Sequence, residues 1–126
     1  MEQILIDKFF VPGNAKADFE ERMNINRHFI KKLPGFIRDD VYERTDENGD
    51  SFYVTVAVWE NEEVIQHAKK AVQAEYQKEG FDMTAMLKRL NIVIDRGVYH
   101  QKISQSLRPV RDLPPTSEPS PNPVLI

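Results

Sequence analysis

An α+β fold built on a four-stranded antiparallel sheet with helices on one face is what this 126-residue chain predicts, and three stretches carry the prediction. Ser51 to Glu60 is an almost unbroken β-branched and aromatic run with no charge before Glu60, as a central strand requires. Asp46-Glu47-Asn48-Gly49-Asp50 separates it from a second strand-like run, Phe36 to Thr45, and Asn-Gly between two such runs is the strongest short-range hairpin signal. Helical periodicity follows the first strand and the third. The order β-α-β-β-α-β with a central hairpin is the ferredoxin-like split βαβ arrangement.

The elements follow in order. Gln3 to Val11 is a strand stopped by Pro12-Gly13. Asn14 fits a helix N-cap, and Asp18, Glu20 and Glu21 place negative charge early in a helix expected to reach about Lys32. Its apolar stripe is Ala15, Phe19, Met23, Ile30 and Leu33, with Phe29 beside it and Asn26 as a polar residue at the edge. Leu33-Pro34-Gly35 ends it, and the hairpin strands follow. Asn61 caps a second helix with Glu62 and Glu63 at its positive end. Ile65, Ala68, Val72 and Tyr76 form its stripe, and Gly80 is its stop. Met83, Met86, Leu87 and Leu90 after Asp82 give a short third helix, and Asn91 to Ile103 a last strand with Gly97 as a candidate bulge. Residues 1–103 are expected to form one domain. From Ser104 to Ile126 proline accumulates, so neither helix nor sheet can persist and an extended or disordered tail is expected.

Composition bounds the function. A net charge of −3, from 17 Lys+Arg against 20 Asp+Glu, gives no general attraction for nucleic acid or an anionic membrane. The absence of cysteine excludes disulfides, thiolate nucleophiles and cysteine metal sites. No apolar run approaches the roughly 20 residues of a membrane span, and the first residues lack a signal-peptide pattern, so a cytoplasmic protein is expected. No metal or cofactor site is expected. His67 and Glu63 stand at i, i+4 without a third ligand.

The central strand presents Phe52, Val54, Val56 and Val58 on one face and Tyr53, Thr55, Ala57 and Trp59 on the other. The first, uniformly apolar, is expected beneath the helices. The second is expected on the bare side, where an apolar patch of that size calls for a covering molecule. Stacked RNA is one cover, but the strand lacks the basic aromatic signature of an RNA-recognition domain. A second copy, making a homodimer, is preferred.

Several segments resemble the antibiotic biosynthesis monooxygenase family, within the dimeric α+β barrel group. They are Asp7-Lys8-Phe9-Phe10-Val11-Pro12-Gly13, Phe19-Glu20-Glu21-Arg22, Leu33-Pro34-Gly35-Phe36 and above all Tyr53 to Glu63, a strand ending in Trp that runs into an acidic helix start. The resemblance implies a cofactor-independent monooxygenase-like protein that oxidises a small aromatic phenol or quinol in a cavity between sheet and helices. The alternative is a non-catalytic dimeric barrel that binds a hydrophobic small molecule or only itself. The Asn, Trp and His of the haem-degrading branch are not matched, since Asp7 or Ile6, Ala68 and Lys78 stand near those places.

An oxygenase of this kind needs a base, donors for the resulting anion and a dry cavity. Asp7 and His67 are the candidate catalytic residues, and Phe9, Tyr53, Thr55 and Trp59 the candidate substrate-binding residues. Two of them have a structural alternative: Asp7 paired with a lysine at a strand edge, and Trp59 as a core anchor at a strand–helix junction.

Overall fold

The structure, a computed structural model, describes residues 1–102, and the tail expected over 104–126 lies outside the described residues. Strands β1 (Gln3–Val11), β2 (Phe36–Thr45) and β3 (Ser51–Trp59) lie where the sequence places them. The last, β4 (Val93–Tyr99), is shorter than expected. Helices α1 (Lys16–Ile30), α2 (Glu62–Glu79) and α3 (Met83–Arg89) complete the split βαβ order. The sheet runs β2-β3-β1-β4 with every neighbour antiparallel.

Local chemistry sets most boundaries. Asn61 Oδ1 accepts from the Val64 amide at 2.9 Å and Asp82 Oδ1 from the Ala85 amide at 3.0 Å, each satisfying a first-turn donor. Gly80 ends α2 in the left-handed region at φ 68°. In the hairpin, Asp46 Oδ1 accepts from the amides of Asn48 and Asp50 at 2.9 and 3.0 Å, which folds the turn on itself.

Two local expectations are corrected. Asn14 does not cap α1, because residues 13–15 form a 3₁₀ turn, closed by the Ala15 amide on the Pro12 carbonyl at 2.9 Å, and Ala15 takes the cap position. Gly97 is not a bulge, because the β1–β4 register is continuous through it. A Cβ there would lie 2.9 Å from the Tyr99 ring, so glycine leaves room for that ring to lie over the strand. The register shift in the sheet falls instead between Phe36 and Arg38.

The faces of β3 are the reverse of the expectation. Tyr53, Thr55, Ala57 and Trp59 are all at most 5% exposed and lie beneath the helices. One cluster joins Val11, Ala15, Phe19, Tyr53 and Ile92; another joins Ala57, Trp59, Ile65 and Ala68. Phe52, Val54 and Val56 share the other face with Ile4, Ile6 and Phe10, all only partly buried, while Val58 on that face is 2% exposed. The cause is a ring stack: as α1 crosses the sheet, Phe19 sits 4.9 Å from both Phe9 and Tyr53, fixing the covered side as theirs. Both faces of β3 are apolar, so its own pattern carries no sign of which is inward.

A candidate active-site cleft

Helices α1 and α2 stand apart over the sheet and leave a cleft of about 1180 Å³ between them. Leu5, Asp7, Phe9, Thr55, Ala57 and Trp59 form its floor; Met23 and Asn26 of α1 face Ile65, Ala68, Val72 and Tyr76 of α2 across it. Small residues at 55, 57 and 68 are what keep the space open. A mostly apolar cavity with a few convergent polar groups is the usual form of a small-molecule site.

Asp7, 7% exposed, is held by Arg96 of β4, with Nε 2.7 Å from Oδ1 and Nη2 2.9 Å from Oδ2. The pairing follows from the register that sets Asp7 opposite Arg96, and the hydrogen bond to Asp7 raises the guanidinium above its ordinary pKa. Each carboxylate oxygen keeps one lone pair for a further donor. Trp59 is 2% exposed, packs edge-on against Phe36 at 5.4 Å, and leaves its indole Nε1 buried without a hydrogen-bond partner among the described residues. Arg27, whose Nε donates to Asp39 Oδ2, has a second buried unpaired nitrogen, Nη2, and also lines the cleft. Buried unpaired donors are uncommon, and the two among the described residues both belong to cleft residues.

Four of the six expected site residues, Asp7, Phe9, Thr55 and Trp59, meet in this cleft. The other two do not line it. His67 is exposed on the side of α2 opposite Ile65, Ala68 and Val72; the stripe read from the sequence already implied this, since 67 is about 200° around the helix from 65. Tyr53 is sealed in the core beneath Phe19, and its hydroxyl donates to Glu20 in a short hydrogen bond. Sequence reading did not assign site roles to Arg96, Arg22, Asn26 or Tyr76. The available signal was a polar residue on an otherwise apolar stripe, as at Asn26 and Tyr76; Arg96 had none before the strands were aligned.

Burial, with Glu20 and Glu43 beside it, lifts the Tyr53 phenol well above its ordinary range, and burial raises Tyr76 as well. In the unfolded chain both ionise near pH 10, so the unfolded state releases protons first and stability falls as pH rises above about 10. Each tyrosine contributes a slope of up to about 1.4 kcal/mol per pH unit, and this stabilisation is fully present below pH 10. Urea unfolding from pH 9 to 11.5 is expected to show a shallower decline in Tyr53→Phe than in the wild type. Equal slopes would contradict this account of Tyr53.

A sequence model described as antibiotic biosynthesis monooxygenase matches residues 3–79. Among curated proteins no significant match is found. Among solved structures, a mutant of SnoaB, a cofactor-independent oxygenase from Streptomyces nogalater, is 25% identical with a TM-score of 0.62, over 82% of this chain and 96% of that one. A putative monooxygenase from Shewanella loihica, 20% identical with a TM-score of 0.61, is covered to the same extents. A putative antibiotic biosynthesis monooxygenase from Bacillus cereus, 22% identical with a TM-score of 0.53, matches 86% of this chain and 99% of its own. The last two likenesses bear on the fold alone.

Proposed function

Because the chain belongs to the antibiotic biosynthesis monooxygenase family, we propose that it oxidises a small aromatic phenol or quinol with molecular oxygen, without a cofactor, in the cleft over Asp7. The observation that carries this reading is a buried carboxylate, braced by a guanidinium, in the floor of a large and mainly apolar cleft. Asp7 takes the phenolic proton on a free lone pair, and Arg96 offsets the negative charge that appears on the substrate oxygen. Oxygen adds to a ring carbon that carries hydrogen, ortho or para to that oxygen, and the hydroperoxide so formed loses water to leave a quinone. The substrate supplies all four electrons, so one phenol and one O₂ give one quinone and one water. Phe9, Ala57 and Trp59 hold the ring and exclude water. SnoaB, as a cofactor-independent oxygenase, supports the type of chemistry.

The open sheet face supports the second part of the proposal, a homodimer. Ile4, Ile6, Phe10, Phe52, Val54 and Val56 form an apolar layer around Lys8, with Phe10 and Phe52 in edge contact at 5.2 Å. Such a layer is sealed economically by an identical layer on a second copy. Sedimentation at micromolar concentration is expected to give twice the protomer mass of 14.7 kDa.

Arg96 engages both oxygens of Asp7, which favours a second reading: a cleft that binds an aromatic acid or quinone without turning it over. An oxygen electrode with a panel of hydroquinones and naphthalenediols separates the two. Enzyme-dependent oxygen uptake is expected; ligand binding with no uptake for any member of the panel would leave the binding reading.

A further inference from the structure

A connected chain of polar groups runs from α1 to the C-terminal end of α2. Arg22 grips Glu79 with both terminal nitrogens, Nη1 to Oε2 at 2.8 Å and Nη2 to Oε1 at 3.1 Å, and lies 3.7 Å from the Phe81 ring centre. Its Nε donates to Asn26 Oδ1 at 3.0 Å, and Asn26 Nδ2 donates to the Tyr76 hydroxyl oxygen, also at 3.0 Å. The order of these bonds is fixed by chemistry. A guanidinium has donors only, so the amide edge facing Arg22 must be the oxygen and the edge facing Tyr76 the NH₂. Tyr76 therefore already accepts a bond, and its own proton meets no acceptor among the described residues. The residue lines the cleft, and burial raises its phenol above the ordinary range. The charged groups acting on it are Arg22, Arg96 and Glu79.

We propose that Arg22 and Asn26 are positioning residues that commit the Tyr76 hydroxyl to donating into the cleft, so that the site prefers a ligand oxygen able only to accept, a phenolate or a quinone carbonyl, over a phenol O–H. A fixed donor gains a charge-assisted bond with a phenolate and only a weaker, neutral one with the oxygen of a phenol. This rests on the cleft being the aromatic-binding site proposed above. The exposed link from Arg22 to Glu79 holds the guanidinium with its Nε toward Asn26.

The test uses p-nitrophenol, whose two protonation states are distinguished by absorbance, titrated into the whole protein on either side of its ionisation. Wild type is expected to prefer the phenolate. Tyr76→Phe should lose about tenfold of that preference, the size of one hydrogen bond to a charged group. Asn26→Asp, nearly the same shape but an acceptor on both edges, pulls the Tyr76 proton away from the cleft and should lose as much. The double variant should lose no more than either single one, because both act through the same proton. Arg22→Met, which lets the Asn26 amide turn over, serves as a second route and should lose two- to threefold. An unchanged preference in these variants overturns the proposal, as does an Asn26→Asp loss that persists in the Tyr76→Phe background and so reflects charge alone. Failure of the wild type to bind either form overturns both this proposal and the reading of the cleft beneath it.

Discussion

Asp7→Asn is expected to lower hydroquinone-dependent oxygen uptake at least 100-fold while the protein stays folded. A positioned base contributes about 10²–10⁴ in rate, and an amide at the same place cannot take a proton. The fold tolerates the change because the shape is kept and Arg96, about half exposed, retains water when its partner loses charge. The opposite change is less forgiving. Arg96→Ala leaves the carboxylate of Asp7, only 7% exposed, without its two donors, so loss of activity there would be confounded with loss of stability. Uptake by Asp7→Asn within a few-fold of wild type, measured on protein with an unchanged circular dichroism spectrum, would remove Asp7 from the chemistry and favour the binding reading.

Trp59→Ala is expected to cost about 3–5 kcal/mol of unfolding free energy, the range for deleting a fully buried large aromatic. The indole is 2% exposed and is packed in the cluster of Ala57, Ile65 and Ala68, with Leu5, Ile30, Leu33, Phe36 and Val64 around it. Its Nε1 makes no hydrogen bond among the described residues, so the loss is one of packing and cavity formation, with no polar partner left behind. Trp59→Phe fills much of the volume and discards the unpaired donor, so it should recover most of the stability. Urea titration followed by far-ultraviolet circular dichroism reads both. An alanine variant within 1 kcal/mol of wild type would mean that the residue is not the anchor of this cluster. Trp59→Phe is therefore the variant suited to asking what the indole does for a ligand, because the alanine variant unfolds the site it is meant to probe.

Gly35 shows how tightly this end of the molecule is built. It adopts φ 83°, a Cβ there would come within 2.6 Å of Val64, and its carbonyl accepts from the Glu60 amide at 2.9 Å. The Leu33-Pro34-Gly35 stop seen in the sequence thus serves two purposes: it ends the stretch after α1, and it lets the first turn of α2 seat against the backbone beside Trp59.

Much of this was legible along the chain. The strands at Gln3–Val11 and Phe36–Thr45, the caps at Asn61 and Asp82, the stop at Gly80 and the hairpin at Asn48-Gly49 depend on atoms a few residues apart, so a short window of sequence contains their cause. The family, too, was visible in the run from Tyr53 to Glu63. The exposed position of His67 follows likewise from its angle on α2, about 200° from Ile65.

The sequence by itself determined the order of elements, their ends and the family to which they belong. Tertiary structure alone decided which side of β3 faces the helices, the pairing of Asp7 with Arg96 across 89 residues, and the gap between α1 and α2 that becomes the cleft. The physical reason is a difference in range. Caps and turns are closed by near neighbours. The inward face of a strand apolar on both sides is chosen instead by a distant ring such as Phe19, and a pocket is the volume that several small side chains, distant in sequence, leave unfilled together.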